Sequence, residues 1–173
     1  MEFLEILKYI LPSIVVLICS YLTIRQFNDR EDVRLHAQLS ASTVKTTTPI
    51  RLAAYERIVL FLERITPESI MRRVLQPNMT SKELLTALII TVRTEFEHNL
   101  SQQIYISSDA WVSVKQAKES MIQLYTAAAQ RFENNAKASE LAQTIIEMYA
   151  SVEESPVTIA IEKIKQEISE TFN

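Results

Sequence analysis

The chain contains no glycine in its 173 residues, and this absence constrains the fold more than any other feature. Average proteins contain about 7% glycine, and strand turns, bulges and phosphate-binding loops depend on its freedom to adopt positive φ. The sequence therefore predicts an all-α fold. It also excludes a Walker loop, a dinucleotide-binding fingerprint and a nucleophile elbow, because each needs glycine where the backbone turns sharply or approaches a ligand.

An uncharged stretch near the N-terminus predicts a transmembrane helix. Residues 9–24, YILPSIVVLICSYLTI, carry no charge, and apolar residues extend the run toward the N-terminus. At about 1.5 Å rise per residue, roughly 20 residues cross the hydrocarbon core, so we interpret residues 1–24 as a single-pass anchor. The basic residues that flank it are Lys8 before the span and Arg25, Arg30 and Arg34 after it. The positive-inside rule then predicts a cytoplasmic C-terminal domain.

The rest of the chain is predicted to form a short connecting region and a helical bundle. Residues 25–49 are interpreted as a juxtamembrane helix followed by a tether, because residues 40–49, SASTVKTTTP, have the Ser/Thr density and terminal proline of a loop. Residues 50–173 are predicted to form an antiparallel bundle of about five helices. The boundary signals are a capping box, Thr80 with Glu83, and the Thr-Pro and Ser-Pro pairs at residues 66–67 and 155–156. Predicted helices cover residues 51–65, 67–75, 81–105, 108–133, 137–151 and 156–171.

A Glu-x-x-His pair, Glu95 and His98, is the strongest candidate for chemistry. This spacing supplies a carboxylate and an imidazole in di-iron helical bundles, which need two such units and two further carboxylates. The other histidine, His36, stands in the predicted juxtamembrane helix, so one chain cannot complete the site. The favoured interpretation is a polar network between helices or a partner surface, formed by Glu95, His98, Asn99 and Gln102 along one flank of their helix. No cofactor is expected.

Charge is unevenly distributed over the predicted bundle. Residues 51–93 carry seven Lys or Arg and four Asp or Glu, a net charge of +3, whereas residues 94–173 carry six and twelve, a net charge of −6. The basic residues that could face anionic lipid are Arg51, Arg57, Arg64, Arg72 and Arg73. A solvated face with pairs such as Glu68 and Arg72 is the favoured interpretation. Nucleic acid is not expected as a partner, since the pI is near 5.5 and no basic stripe alternates with aromatic residues.

Two further stretches carry a family resemblance. The strings TTTPIRLAAYERIVLFLERI and RTEFEHNLSQQIYIS, placed after an N-terminal span, resemble a family of uncharacterised bacterial single-pass membrane proteins with a cytoplasmic helical domain. The resemblance implies a bacterial origin and membrane attachment, and together with the predicted topology we expect the inner membrane. It implies no activity and no site residue.

The functional prediction follows from an anchor and a foldable domain without an assembled catalytic set. A serine or cysteine nucleophile needs a nearby base, and His98 is the only histidine in the predicted bundle. We therefore predict a non-enzymatic membrane protein that binds the lipid bilayer through its N-terminal helix and another protein through its bundle, as an adaptor or assembly subunit. The alternatives are a metal-binding protein that pairs Glu95 and His98 across a dimer, and a lipid-surface sensor. The sequence also allows a homo-oligomer.

Overall fold

The part of the chain that the structure describes is mostly helical. The computed structural model describes the backbone of residues 2–172 and the side chains of residues 14–25 and 45–171. Within this part, six α-helices and one 3₁₀ helix occur, with no strand beyond an isolated bridge between Thr80 and Lys137. They are α1 Glu2–Arg64, α2 Pro67–Val74, α3 Ser81–Asn99, the 3₁₀ helix Leu100–Ile104, α4 Ser108–Ala129, α5 Ala138–Ala150 and α6 Pro156–Phe172. The prediction of an all-α fold is confirmed.

The chain divides into two compact units, Met1–Thr48 and Pro49–Asn173. The second unit contains the C-terminal part of α1 and all the later helices. In it, α4 packs against α3, α5 and α6, while α2 packs against α3 and α5. Helix α3 also packs against α5, so that α3 and α4 each contact three other α-helices. We refer to the second unit as the bundle from here on.

The predicted membrane span is not confirmed. Among the side chains that the structure describes, no helix combines the length and the apolar character needed to cross a membrane. Residues 1–13 of the predicted anchor have side chains outside the described part.

The predicted loop over residues 40–49 is wrong, because α1 continues through it without a break. Serine and threonine weaken a helix by bonding to the backbone, but inside a helix their hydroxyls can instead bond to the carbonyl four residues earlier. Thr23 shows this geometry in the same helix, where its hydroxyl donates to the Cys19 carbonyl at 2.7 Å. Ser/Thr density is therefore a weaker stop signal than the loop prediction assumed.

The helix α1 ends where the sequence signals are stronger. Thr66 precedes Pro67 and takes an extended backbone conformation, with ψ 150°, as expected for a residue before proline. Pro67 occupies the first turn of α2, as predicted. The Thr66 hydroxyl, however, donates to the Glu63 carbonyl at 2.8 Å and does not cap α2.

The other two predicted caps are confirmed. The Thr80 side chain accepts from the Glu83 N–H at 3.3 Å, and the Glu83 carboxylate accepts from the Thr80 N–H at 2.9 Å. The Thr80 hydroxyl also donates to the Glu83 carboxylate at 2.8 Å. The bonds that the carboxylate accepts, first from the Thr80 backbone and then from its hydroxyl, lower the pKa of Glu83. At the start of α6, the Ser155 hydroxyl accepts from the Thr158 N–H at 3.1 Å.

Two helices are shorter than predicted. The helix that begins at Ser81 tightens into the 3₁₀ helix after Asn99, as is common at the ends of α-helices. The helix from Ser108 ends at Ala129, four residues before the predicted end. Just beyond it, the Ser81 hydroxyl donates to the Glu133 carbonyl at 2.7 Å and the Ser81 N–H to the Ala136 carbonyl at 2.8 Å. These contacts attach the turn that follows α4 to the start of α3.

The core of the bundle joins all of its helices. Fully buried side chains include Ile58, Leu62, Leu84, Leu88, Val114, Met121, Tyr125, Leu141, Ile145 and Ile164. Tyr125 is the polar exception, and its hydroxyl donates to the Ile65 carbonyl at 2.6 Å, at the end of α1. Burial raises the pKa of Tyr125, so the phenol stays protonated and remains a donor.

Candidate functional site

The four polar residues singled out in the sequence lie in different surroundings. Glu95 is mostly buried, with 16% of its side chain exposed, whereas His98 is exposed. The Asn99 amide donates to the Glu95 carbonyl at 2.8 Å, which is a bond within one turn. Gln102 is 7% exposed and donates to the neighbouring Ser101 hydroxyl at 3.2 Å. The structure brings Glu95 and Asn99 together only through the backbone of their own helix.

Glu95 instead joins the ends of two other helices. Its carboxylate accepts a hydrogen bond from Arg73 Nη1 at 2.7 Å and lies 3.2 Å from Arg64 Nη2. Arg73 also donates through Nη2 to the Arg64 carbonyl at 2.6 Å, at the end of α1. The three side chains thus connect α1, α2 and α3. Two of the predicted lipid-facing arginines are held in this cluster.

This arrangement bears on the metal alternative for Glu95 and His98. Among the residues that the structure describes, no three His, Cys, Asp or Glu side chains are grouped so that they could hold a metal ion. A metal ion shared by two chains would also compete for the Glu95 carboxylate with two guanidinium groups. In this chain the Glu95 carboxylate is paired with arginine side chains.

A second polar cluster centres on Glu167 in α6. Its carboxylate accepts from the Tyr55 hydroxyl at 2.7 Å, the Ser107 N–H at 2.8 Å and the Ser107 hydroxyl at 2.6 Å. Arg51 lies 3.8 Å away and also donates to the Tyr55 hydroxyl at 2.9 Å. The cluster joins the bundle part of α1, the residue that caps α4, and α6.

Electrostatics favour the charged form of Glu167. Partial burial raises the pKa of this carboxyl, but hydrogen bonds from Ser107 and Tyr55 and the charge of Arg51 outweigh burial, so that the pKa is lowered. The pKa of Tyr55 is raised, first by burial and then by its bond to Glu167. The tyrosine therefore stays a donor and the carboxylate stays an acceptor. This cluster is a structural connection between helices.

The remaining predicted basic residues are exposed. Arg72 lies 4.0 Å from Glu68, one turn earlier in α2, and both side chains are more than 70% exposed. Such a pair contributes little to stability. Arg57 is also exposed, and it has no carboxylate within 4 Å among the described side chains.

Arg57 lines an open groove on the bundle surface. The groove has a volume of about 520 Å³. Its lining residues are Pro49, Ile50, Ala53, Ala54, Arg57, Ser101, Gln102, Ile104 and Tyr105. Ile50 and Ile104 are 45% and 72% exposed, so the groove presents apolar surface to the outside. We call it the α1–3₁₀ groove.

Two helical segments form the walls of the groove and run in opposite directions. Arg64 contacts Glu95 at one end, and Arg51 donates through Nε to the Tyr105 carbonyl at 3.2 Å at the other. Along α1, the residues Ile50, Ala53 and Arg57 share one stripe because they are spaced three and four apart. The exposed Leu60 continues this stripe by one more turn.

Sequence reasoning identified only part of this arrangement. It singled out Arg57 as a residue that could face anionic lipid and Gln102 as part of a polar network, and neither as the lining of a groove. It did not identify Glu167, Ser107, or the apolar wall residues Ala53 and Ile104. Glu167 and its partner Tyr55 are 112 residues apart, and no local pattern links them. The sequence around Ile104 does not distinguish an exposed isoleucine from a buried one. No sequence pattern therefore indicated the groove.

Comparison with known proteins supplies a family for the chain. No curated protein and no solved structure matches it. A family model, described as a family of unknown function, matches residues 1–171. The resemblance to an uncharacterised family is confirmed at this level, while bacterial origin and membrane attachment stay predictions. The match spans nearly the whole chain, so the protein belongs to the family of unknown function DUF7935.

Proposed function

We propose that this protein is a membrane-anchored, non-enzymatic adaptor or assembly subunit whose helical bundle binds a partner protein. The α1–3₁₀ groove is the observation that carries the proposal. It is an open groove with an exposed isoleucine in each wall, Ile50 and Ile104, and contiguous exposed apolar surface is typical of interaction sites. Its walls are two packed helical segments, which offer a rigid docking surface.

Anchoring is supported by the described part of the predicted span. From Ile14 to Ile24 the helix carries no charged residue, and its large apolar side chains are 50% to 70% exposed. A helix that is apolar all round needs a surrounding of lipid or protein. We propose that lipid supplies it, with residues 1–24 as the span.

The proposed orientation places the bundle in the cytoplasm of a bacterium, at the inner membrane. It rests on the excess of basic residues after the span over Lys8 before it.

Binding is tested by purification of the full-length tagged protein from detergent-solubilised membranes. Two variants are compared with the wild type: Ile104→Asp in the groove, and Ile159→Asp on α6, where the isoleucine is also exposed at 46%. We expect a specific partner with the wild type and with Ile159→Asp, and its loss with Ile104→Asp. Absence of any specific partner from all three preparations would count against the adaptor function.

Anchoring is tested by alkaline extraction of membranes. The full chain should stay in the membrane pellet, and a chain that lacks residues 1–24 should be released. Release of the full chain under the same conditions would contradict the proposed anchor.

A further inference from the structure

The α1–3₁₀ groove has one charged lining residue among those described, Arg57. The other four basic residues of α2 and of the bundle part of α1 each have a carboxylate within 4 Å: Arg51 with Glu167, Arg64 and Arg73 with Glu95, and Arg72 with Glu68. Arg57 therefore differs from its neighbours, because its charge is not neutralised within the described part of the chain. A surface that covers it without a carboxylate would bury an unpaired charge, which is costly.

From this contrast, we propose that the groove binds an amphipathic helix of a partner protein that carries an aspartate or glutamate within its apolar face. The proposal deepens the adaptor function and rests on it. The partner's apolar side chains would cover Ile50, Ala53 and Ile104, and its carboxylate would pair with Arg57. The stripe from Ile50 to Leu60 is about 15 Å long at 1.5 Å per residue, which corresponds to about three helical turns of contact.

A helix fits this surface better than an extended peptide. The described walls are helices, and a third helix can lie in the groove between two packed helices through ridges-into-grooves contacts. The edge that an extended peptide would need is a strand with free backbone groups, and the structure has no strand along the described groove.

A second copy of this chain fits the groove poorly. A two-fold contact places the same patch on both sides of the interface. If groove packs on groove, both Arg57 side chains lie in one interface, and the described lining contains no carboxylate to pair with either of them. The positive charge of the groove is therefore better matched by a partner with a different sequence.

A lipid surface is also less well matched. Attraction to anionic lipid is about 1 kcal/mol per basic residue near the membrane and needs several such residues. Arg51, Arg64 and Arg73 are already paired with carboxylates of the same bundle. One unpaired arginine in an apolar groove is instead suited to a single carboxylate at a defined position.

Site-specific photo-crosslinking in native membranes tests this inference. A photoreactive benzoylphenylalanine replaces Ile104 in the full-length protein, and the matched control carries it at Ile159 on α6. Both positions are exposed, so neither replacement disturbs the core. The crosslinked peptide is then identified by mass spectrometry.

We expect Ile104 to crosslink to one partner segment with apolar residues at helical spacing and an Asp or Glu among them, and Ile159 not to do so. Arg57→Glu should lower the yield from Ile104 about tenfold, whereas Arg57→Lys should preserve most of it, because the charge is what the pairing needs. Replacement of the partner's acidic residue by arginine should restore crosslinking to Arg57→Glu.

Several results would overturn the inference. They are a crosslink from Ile104 to lipid, to a second copy, or to a peptide without an acidic residue, and a yield that Arg57→Glu leaves unchanged. A partner that crosslinks only through Ile159 would refute the groove assignment and leave the adaptor function standing. If neither position crosslinks to a partner and the purification experiment recovers none, both the groove assignment and the adaptor function are contradicted.

Discussion

Glu167 connects three segments of the bundle that are distant in the sequence. Its carboxylate accepts three hydrogen bonds, two from Ser107 and one from Tyr55, with Arg51 nearby. Hydrogen bonds to a charged group contribute about 1.5–3 kcal/mol when intact, and less when partly exposed. The tertiary role of this side chain leads to two expectations.

The substitution Glu167→Gln should lower the free energy of unfolding by about 1–2 kcal/mol at pH 7, because the amide keeps the size but loses the charge that these donors stabilise. The matched control is Glu162→Gln, an exposed position in the same helix, for which little change is expected. Urea unfolding of the full chain in detergent, followed through the single Trp111, measures both. Equal effects at the two positions would show that Glu167 is not a tertiary connection.

This contribution should also depend on pH. The pKa of Glu167 is lowered in the folded state from an ordinary value of 4.5, so the unfolded chain binds the proton more readily. The stabilisation is therefore complete well above pH 4.5 and is lost as the pH falls through the lowered pKa. The difference in stability between the wild type and Glu167→Gln should shrink as the pH is lowered from 5 toward 3 in about half-unit steps. A difference that stays constant would contradict this linkage.

Among helices, the start of α3 is the clearest test of how local sequence determines structure. Thr80→Ala removes the acceptor of the Glu83 N–H and should cost about 1 kcal/mol. Thr86→Ala, in the interior of the same helix, should be neutral or slightly stabilising, since alanine has the higher helix propensity. Urea unfolding compares the two variants. A larger loss at Thr86 would contradict the cap assignment.

The end of α1 is held by a contact that the sequence does not reveal. The buried Tyr125 hydroxyl donates to the Ile65 carbonyl at 2.6 Å. Tyr125→Phe leaves that carbonyl without its donor and should lower stability by about 1–2 kcal/mol. The control is Tyr105→Phe, because the Tyr105 hydroxyl makes no hydrogen bond to another described residue. If both variants unfold at the same urea concentration, the contact contributes nothing measurable.

Helix boundaries were predictable where the chemistry was local. The Thr80–Glu83 box, Pro67 and Ser155 each act within three residues, and the structure places helix starts there. The ends at Asn99 and Ala129 carry no such local signal, and the turn beyond α4 is bound by Ser81, about 50 residues earlier in the chain. The helical course of residues 40–49 was missed because Ser and Thr are compatible with both a loop and a helix.

At the scale of the whole molecule, the fold brings residues from the basic stretch of the sequence next to residues from the acidic stretch. The basic stretch of residues 51–93 meets Glu95 and Glu167 from the acidic stretch that follows it. The sequence showed the imbalance, but the partners of each arginine depend on packing. The same holds for the α1–3₁₀ groove, whose walls lie about 50 residues apart in the chain. Fold class was therefore predictable from composition, whereas the candidate site required the structure.

The most direct test of the adaptor function is crosslinking and mass spectrometry on native membranes, with the full-length protein tagged at its C-terminus. We predict a recurrent partner whose crosslinks to the bundle concentrate on residues beside the α1–3₁₀ groove, with Lys115 and Lys163 as reactive reference positions on α4 and α6. Crosslinks only between copies of this chain, or contacts spread evenly over the bundle without a recurrent partner, would contradict the proposed function.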